Sequence, residues 1–259
     1  MLIAFIAGFV VLLALGIPIT IGLGGSAMLY VLLQGDLSPT MLIQTTFAGM
    51  ASFPLLAIPL FMLAGNFMNE GGLTRDLVKF ARLILGHING GLGLATILAS
   101  AIFAAISGAA VATAVAIGMV MIPAMKEAGY DEEISAAVTA TASCMGPIIP
   151  PSIPFIMYGV IANVSIGALF LGGVVPGLLL AAGLMLYMYY VAKTRNYPRE
   201  NRATFSEMVA GTRQALPALL MPIIIMGGIL GGAFTPTEAA GVAALYALIV
   251  GGLFFRQIK

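Results

Sequence analysis

Gly146–Pro154, GPIIPPSIP, sets four prolines in nine residues, inside a run from Ile134 to Ala192 that carries no charge. A proline lacks the amide proton of the helical ladder, and its ring clashes with the carbonyl one turn back. Pro147, Pro150, Pro151 and Pro154 therefore stop any helix that enters the stretch. Carbonyls in the region Ser143–Pro150 lose their intrahelical partners. In hydrocarbon such groups are costly until something satisfies them. A bound cation is one such partner. A kinked helix satisfied by its neighbours is the other reading.

The hydrocarbon follows from composition. Of 259 residues, 61% are hydrophobic and 8% charged, and the mean hydropathy is +1.09. One soluble core could not hide that much apolar surface. The predicted class is an all-α integral membrane protein, a polytopic helical bundle. The net charge of +1 and the scatter of eleven Lys and Arg residues form no basic face, so no nucleic-acid partner is implied. Cys144 is the single cysteine and His87 the single histidine, which leaves no intrachain disulfide and no zinc cluster. Cys144 is expected to be a buried, inert thiol. The run from Leu2 lacks a basic n-region and a small-residue cleavage site, so it is expected to be a mature first span. Acid–base catalysis is disfavoured, because no predicted span has Asp, Glu or His in its interior.

About 20 apolar residues cross a bilayer. By that rule the spans are Leu2–Leu15, Ile17–Leu33, Met41–Met68, the block Ile88–Met125, Ile134–Ala162, Ile166–Ala192, Leu216–Phe234 and Ala239–Phe255. GIPIT, Ile17 to Thr20 with Gly16, is either a tight turn or a kink. Leu73–Leu85 and Thr204–Gln214 mix charge with apolar residues at helical spacing, as interfacial arms do. Loops at Gln34–Thr40, Asn163–Ser165 and Phe234–Thr237 have Asp36 and Glu238 nearby but no Lys or Arg. All the basic residues fall on the other side, including Lys193, Arg195, Arg199, Arg202, Arg256 and Lys259, which is predicted to be cytoplasmic. Glu238 is expected to cap the helix after TPT.

Ile88–Met125 starts and ends on the cytoplasmic side, and its midpoint is ISGAAVATA, Ile106 to Ala114. Its length allows two full crossings, and its small residues allow a packing seam. A re-entrant hairpin with Ser107 and Gly108 at the tip is the third reading. Two interrupted helices at mid-membrane are the usual construction of secondary-transporter sites, where unwound carbonyls hold a cation and half-helix N-termini face anionic groups.

FPLLAIPLFMLAGNFMNEGGLT (Phe53–Thr74), AISGAAVATAVAIGMVMIPAMKEAGYD (Ala105–Asp131), GPIIPPSIPFIMYG (Gly146–Gly159), SIGALFLGGVVPGLLL (Ser165–Leu180) and FTPTEAA (Phe234–Ala240) together resemble the large membrane subunit of tripartite ATP-independent periplasmic (TRAP) transporters, over essentially the whole chain. The resemblance implies an elevator-type carrier in a bacterial inner membrane, without cofactor and driven by sodium. It would import organic acids such as dicarboxylates or sialic-acid-like anions. Its partners would be a small membrane subunit and a periplasmic substrate-binding protein. It assigns the sodium site to Ser107 and Gly108 of the hairpin tip with Gly146, Ile149 and Pro150 of the facing break, and the substrate side to Ser143, Pro147 and Ser152. A related elevator-type anion carrier that needs no binding protein is the alternative.

Two departures from the family pattern matter. Its tip often reads Ser-Gly-Ser-Ala-Val-Ala-Asp, whereas this chain has Ala109 for the second Ser and Thr113 for the Asp, so Ser107 and backbone carbonyls must carry more of the coordination. The family also has two inverted repeats, each with a hairpin and a broken helix. The expected division here is a first repeat over 1–192, with the arm at 73–85, hairpin at 88–125, broken helix at 134–162 and span at 166–192. A cytoplasmic loop and arm follow over 193–214, and the start of a second repeat over 215–259. FTPTEAAGVAALYAL faintly echoes GIPITIGLGGSAMLY, as the opening of a second repeat would. The chain is thus expected to be a fragment holding half of a substrate site.

Overall fold

A computed structural model describes residues 2–254. Phe255, Arg256 and Lys259, assigned above to a span end and to the cytoplasmic side, lie outside the described residues. Among the described residues the chain is all helical: α1 Leu2–Ala14, α2 Ile19–Gln34, α3 Pro39–Met50, α4 Ala57–Glu70, α5 Leu73–Leu85, α6 Gly91–Ser107, α7 Ala110–Glu127, α8 Glu132–Ser143, α9 Ile153–Ala162, α10 Ile166–Arg195, α11 Phe205–Leu230 and α12 Pro236–Leu248. By length and composition α7, α10 and α11 are apolar and long enough to cross a membrane singly. The polytopic helical class is therefore observed. The helices fall into two compact units, residues 1–52 and 53–259.

In the first unit GIPIT is a turn. Gly16 takes φ 78°, a backbone that glycine enters without strain, and α1 folds back along α2. Small residues make the seam: a β-carbon on Gly22 would touch the Phe9 ring at 3.6 Å, and one on Gly25 would touch Leu12 at 3.4 Å. Phe5 and Tyr30 close its far end edge-to-face, with centroids 6.4 Å apart.

The second unit is built on α4, α6 and α12. Alanines of α12, among them Ala239, Ala240, Ala243 and Ala247, are buried, as are Ala57, Phe61, Ala64 and Met68 of α4. The small side chains let the two helices approach closely, and Thr237 Oγ1 donates to the Phe53 carbonyl at 3.3 Å. Amphipathic α5 buries Leu73, Leu77, Val78 and Ala81 and packs on α11 and α6. Thr235 and Glu238 form the capping box expected for α12.

Two sequence boundaries and one burial are corrected. Met41–Met68 is not one helix: α3 ends at Met50, and Phe53–Leu56, holding Pro54, forms a 3-10 turn before α4. Thr204–Gln214 is not a separate arm. A second capping box, Thr204 with Glu207, starts α11, and the helix runs unbroken into the Leu216 span with Pro217 and Pro222 inside it. No breaker separates Gln214 from Leu216, so the ladder continues. Cys144 is exposed rather than buried, because it keeps a helical backbone at the end of α8 and continues the exposed stripe of Ala137, Ala140 and Thr141.

Candidate functional site

The hairpin α6–α7 turns within two residues. Gly108 takes φ 63°, ending α6 in the left-handed region, and Ala109 is extended at φ −137° before α7 begins. The prolines interrupt α8–α9 over Cys144–Ser152. These two interruptions touch. The Ile153 amide donates to the Gly108 carbonyl at 3.2 Å. A β-carbon on Gly146 would lie 2.6 Å from the Ala109 carbonyl carbon, and one on Gly108 would lie 2.6 Å from the Pro151 oxygen. The structure thus brings Ser107 and Gly108 against the Gly146–Pro151 segment. At about 1.5 Å per residue the 12 residues of α8 rise about 18 Å before the break. The tip that meets the break stops part-way along the α8–α9 pair.

Surrounding helices make room for the contact with glycines that sequence reasoning passed over. A β-carbon on Gly65 of α4 would stand 3.2 Å from the Ser107 β-carbon. On α10, one at Gly173 would meet the Ile148 oxygen at 2.5 Å, and one at Gly177 would meet Ile149 Cγ1 at 2.5 Å. The four-residue spacing of Gly173 and Gly177 in LGGVVPGLLL was the available signal.

Donors and acceptors at the break are unequal. Met145 O accepts from Ile148 and Ile149, Ser143 O accepts from Gly146, and Pro147 O accepts from Ser152 Oγ at 2.5 Å. The prolines therefore leave fewer open carbonyls than the sequence suggests. Those of Gly146, Ile148, Ile149, Pro150 and Pro151 accept no hydrogen bond among the described residues. The nearby donors are taken: the Phe155 amide by Ser152 Oγ, the Ile153 amide by Gly108, and the Ser143 hydroxyl by Thr139 O at 2.7 Å. Ser143 and Ser152, placed above on the substrate side, thus have both hydroxyl protons on backbone carbonyls.

Thr113 orients Ser107. Thr113 Oγ1 donates to Ala109 O at 2.9 Å and lies 3.2 Å from Ser107 Oγ. A hydroxyl has one proton, so the proton between the two side chains is that of Ser107. Its oxygen keeps its lone pairs for a further partner. Ser107, Thr113, Ser143 and Ser152 are all at most 2% exposed.

The helix ends add their fields. The C-termini of α6 and α8 bring partial negative charge to the junction, while the N-terminus of α7 brings partial positive charge. The first-turn amides Ala110–Ala112 have no acceptor among the described residues and lie on the more open side, where Val111 is exposed. One end of the junction suits a cation and the other an anion, and the residues present fit a small, hard cation without any carboxylate.

Residues 6–259 match the family described as "Tripartite ATP-independent periplasmic transporter, DctM component". The chain is similar to the isethionate TRAP transporter permease protein DctMQ of Oleidesulfovibrio alaskensis, 47% identical over 97% of this chain and 40% of that protein. It is similar to the sialic acid TRAP transporter large permease protein SiaM of Vibrio cholerae, 40% identical over 98% of this chain and 59% of that protein. It is also 42% identical to the C4-dicarboxylate TRAP transporter large permease protein DctM of Vibrio cholerae, over 95% of this chain and 55% of that protein. The chain spans about half the length of the curated relatives it matches.

Proposed function

Because the chain belongs to the tripartite ATP-independent periplasmic transporter family, as a DctM component, we propose that it forms the first half of a permease that couples sodium entry to the import of a small organic anion by an elevator movement. The substrate would arrive on a periplasmic binding protein, and a small membrane subunit would complete the carrier. The relatives' names support the substrate class: isethionate, sialic acid, C4-dicarboxylate and 2,3-diketo-L-gulonate are small organic anions. The fused name DctMQ supports the small subunit.

One observation carries the reading. Where the Ser107 tip meets the α8–α9 break, acceptors outnumber donors, with five carbonyls of the break open and the Ser107 oxygen turned free by Thr113. A sodium ion supplies what the chain lacks there, a positive partner for several oxygens. Ser107 would coordinate through Oγ, and Gly146, Ile149 and Pro150 through their carbonyls. An anionic group would sit at the first turn of α7, where amides are open. Cation and anion would then occupy opposite sides of one small junction, and each would raise the affinity of the other.

The test is uptake by a full-length permease carrying this sequence, reconstituted with its small subunit and binding protein. Ser107→Ala should raise the sodium concentration for half-maximal uptake, whereas Cys144→Ala, at an exposed position beside the break, should leave it nearly unchanged. Equal losses from both substitutions would mean that the ion site lies elsewhere.

A further inference from the structure

The cytoplasmic edge of the second unit holds a cationic cleft that the transport reading does not use. Arg75, Lys79 and Arg82 recur at helical spacing along the outward face of α5, and with Val78, Leu83, Val120 of α7 and Glu200 they line a cleft of about 480 Å³. Arg82 pairs with Glu200. Lys79 Nζ donates to Gln214 Oε1 of α11 at 3.2 Å, and the buried Asp76 carboxylate on the same helix offsets part of its charge. Among the described residues Arg75, Lys79 and Arg213 belong to no ion pair. The Lys79–Gln214 bond is also a border. Across it a second cleft, about 800 Å³, is lined by Arg213 and Gln214 together with Phe205, Val209 and Pro217 of α11. Phe205 and Val209 are 85% and 52% exposed.

Along the α5–α11 seam four cations, Arg75, Lys79, Arg82 and Arg213, therefore meet two carboxylates, Glu200 paired with Arg82 and the buried Asp76 beside Lys79. Beside them stands apolar surface on the helix that runs into the membrane. An interfacial arm that merely floated on a bilayer would scatter its cations into water. Here Lys79 is tied to α11, and the chain after α10 is clamped over the end of α5, where the Glu200 amide donates to the Gly86 carbonyl at 2.8 Å. Lys79 and Arg82 are thereby held in place at the seam. Fixed cations beside exposed apolar side chains match one kind of ligand, an amphiphile with an anionic head and acyl chains.

We propose that this seam is a binding site for an anionic glycerophospholipid, whose headgroup phosphate sits between Arg75 and Lys79 and whose chains lie along the Phe205–Pro217 face of α11. Glu200 limits the site by holding Arg82 away from the phosphate. The lipid would pin the α5 arm to the inner leaflet while the hairpin and broken helix act beyond it.

The experiment uses the whole chain in a neutral detergent, with native mass spectrometry to count retained molecules and thermal unfolding to follow stability. The probes are phosphatidylglycerol, phosphatidylcholine of the same chain length, and inorganic phosphate. Phosphatidylglycerol should be retained and raise the unfolding temperature, and the other two should do neither. The double variant Arg75→Gln/Lys79→Gln should weaken the apparent affinity about tenfold, while Arg199→Gln/Arg202→Gln, on the adjoining loop, should not. Glu200→Gln, which frees Arg82, should tighten binding if it folds. An equal response to phosphatidylcholine, an equal response to inorganic phosphate, or equal weakening in the two double variants would each overturn the proposal.

Discussion

A β-carbon on Gly108 would come within 2.6 Å of the Pro151 oxygen, and one on Gly146 within 2.6 Å of the Ala109 carbonyl carbon. Both obstacles are backbone, which cannot swing aside as a flexible side chain can. Gly108→Ala also forces an alanine to φ 63°, a left-handed conformation that costs an L-residue about 1–2 kcal/mol. Each substitution should therefore destabilise the chain by about 1–3 kcal/mol, as overpacking does. Gly183 offers the control, since nothing lies within 4 Å of its added β-carbon and it sits mid-helix in α10. Gly183→Ala should be neutral or stabilising by about 0.5–1 kcal/mol. Thermal unfolding of the three variants in detergent separates these outcomes, and similar shifts in all three would mean that the tip is not seated on the break. The sequence showed Ser107, Gly108 and the prolines as places where helices stop. It did not show which hydroxyl keeps free lone pairs, since that depends on the 3.2 Å contact between Ser107 and Thr113. Thr113 stood in the sequence only as a lost carboxylate. In the fold it orients Ser107.

The N-terminal end of α8 and the C-terminal end of α10 are joined by side chains rather than by the ladder. Asp131, just before α8, accepts from Arg195 at 2.5 Å and from the Tyr197 hydroxyl at 2.5 Å. Tyr197 stacks on Tyr130, with centroids 4.3 Å apart. The Tyr197 hydrogen bond, and after it the Arg195 guanidinium, hold the Asp131 carboxylate below its ordinary 3.8. A native pKa below the unfolded one adds stability above the unfolded value, and that stability is lost as pH falls through the native value. The wild-type chain should therefore unfold at a higher temperature than Asp131→Asn near neutral pH, and the two should converge in acid below 3.8. Parallel curves through the acid range would show that the clasp contributes nothing. Element boundaries were legible at Leu73–Leu85 and at the cap formed by Thr235 with Glu238, but not at Pro54, which parts α3 from α4. They failed at α11, where charge in the first turns suggested an arm but the backbone ladder has no reason to stop. Periodicity reports which face is wet, not where a helix ends.

For the whole molecule, the hairpin and the broken helix meet within this chain, yet the chain spans about half of its relatives' length. Substrate binding and ion binding reinforce each other in coupled transport by about 1–3 kcal/mol, and that coupling needs both sites complete. The 259-residue chain, reconstituted with a cognate binding protein, a small subunit and a sodium gradient, should accumulate no more substrate than protein-free liposomes. Accumulation above that level would mean that two copies complete one carrier. The sequence by itself determined the solvent of this protein and the two places where its helices break, because hydropathy and proline act locally along the chain. Only the tertiary structure decided that the two breaks face each other, that glycines of α4 and α10 cradle them, and which carbonyls stay open there. Those facts depend on packing between segments far apart in sequence, and no local preference of a residue encodes the identity of its distant neighbour.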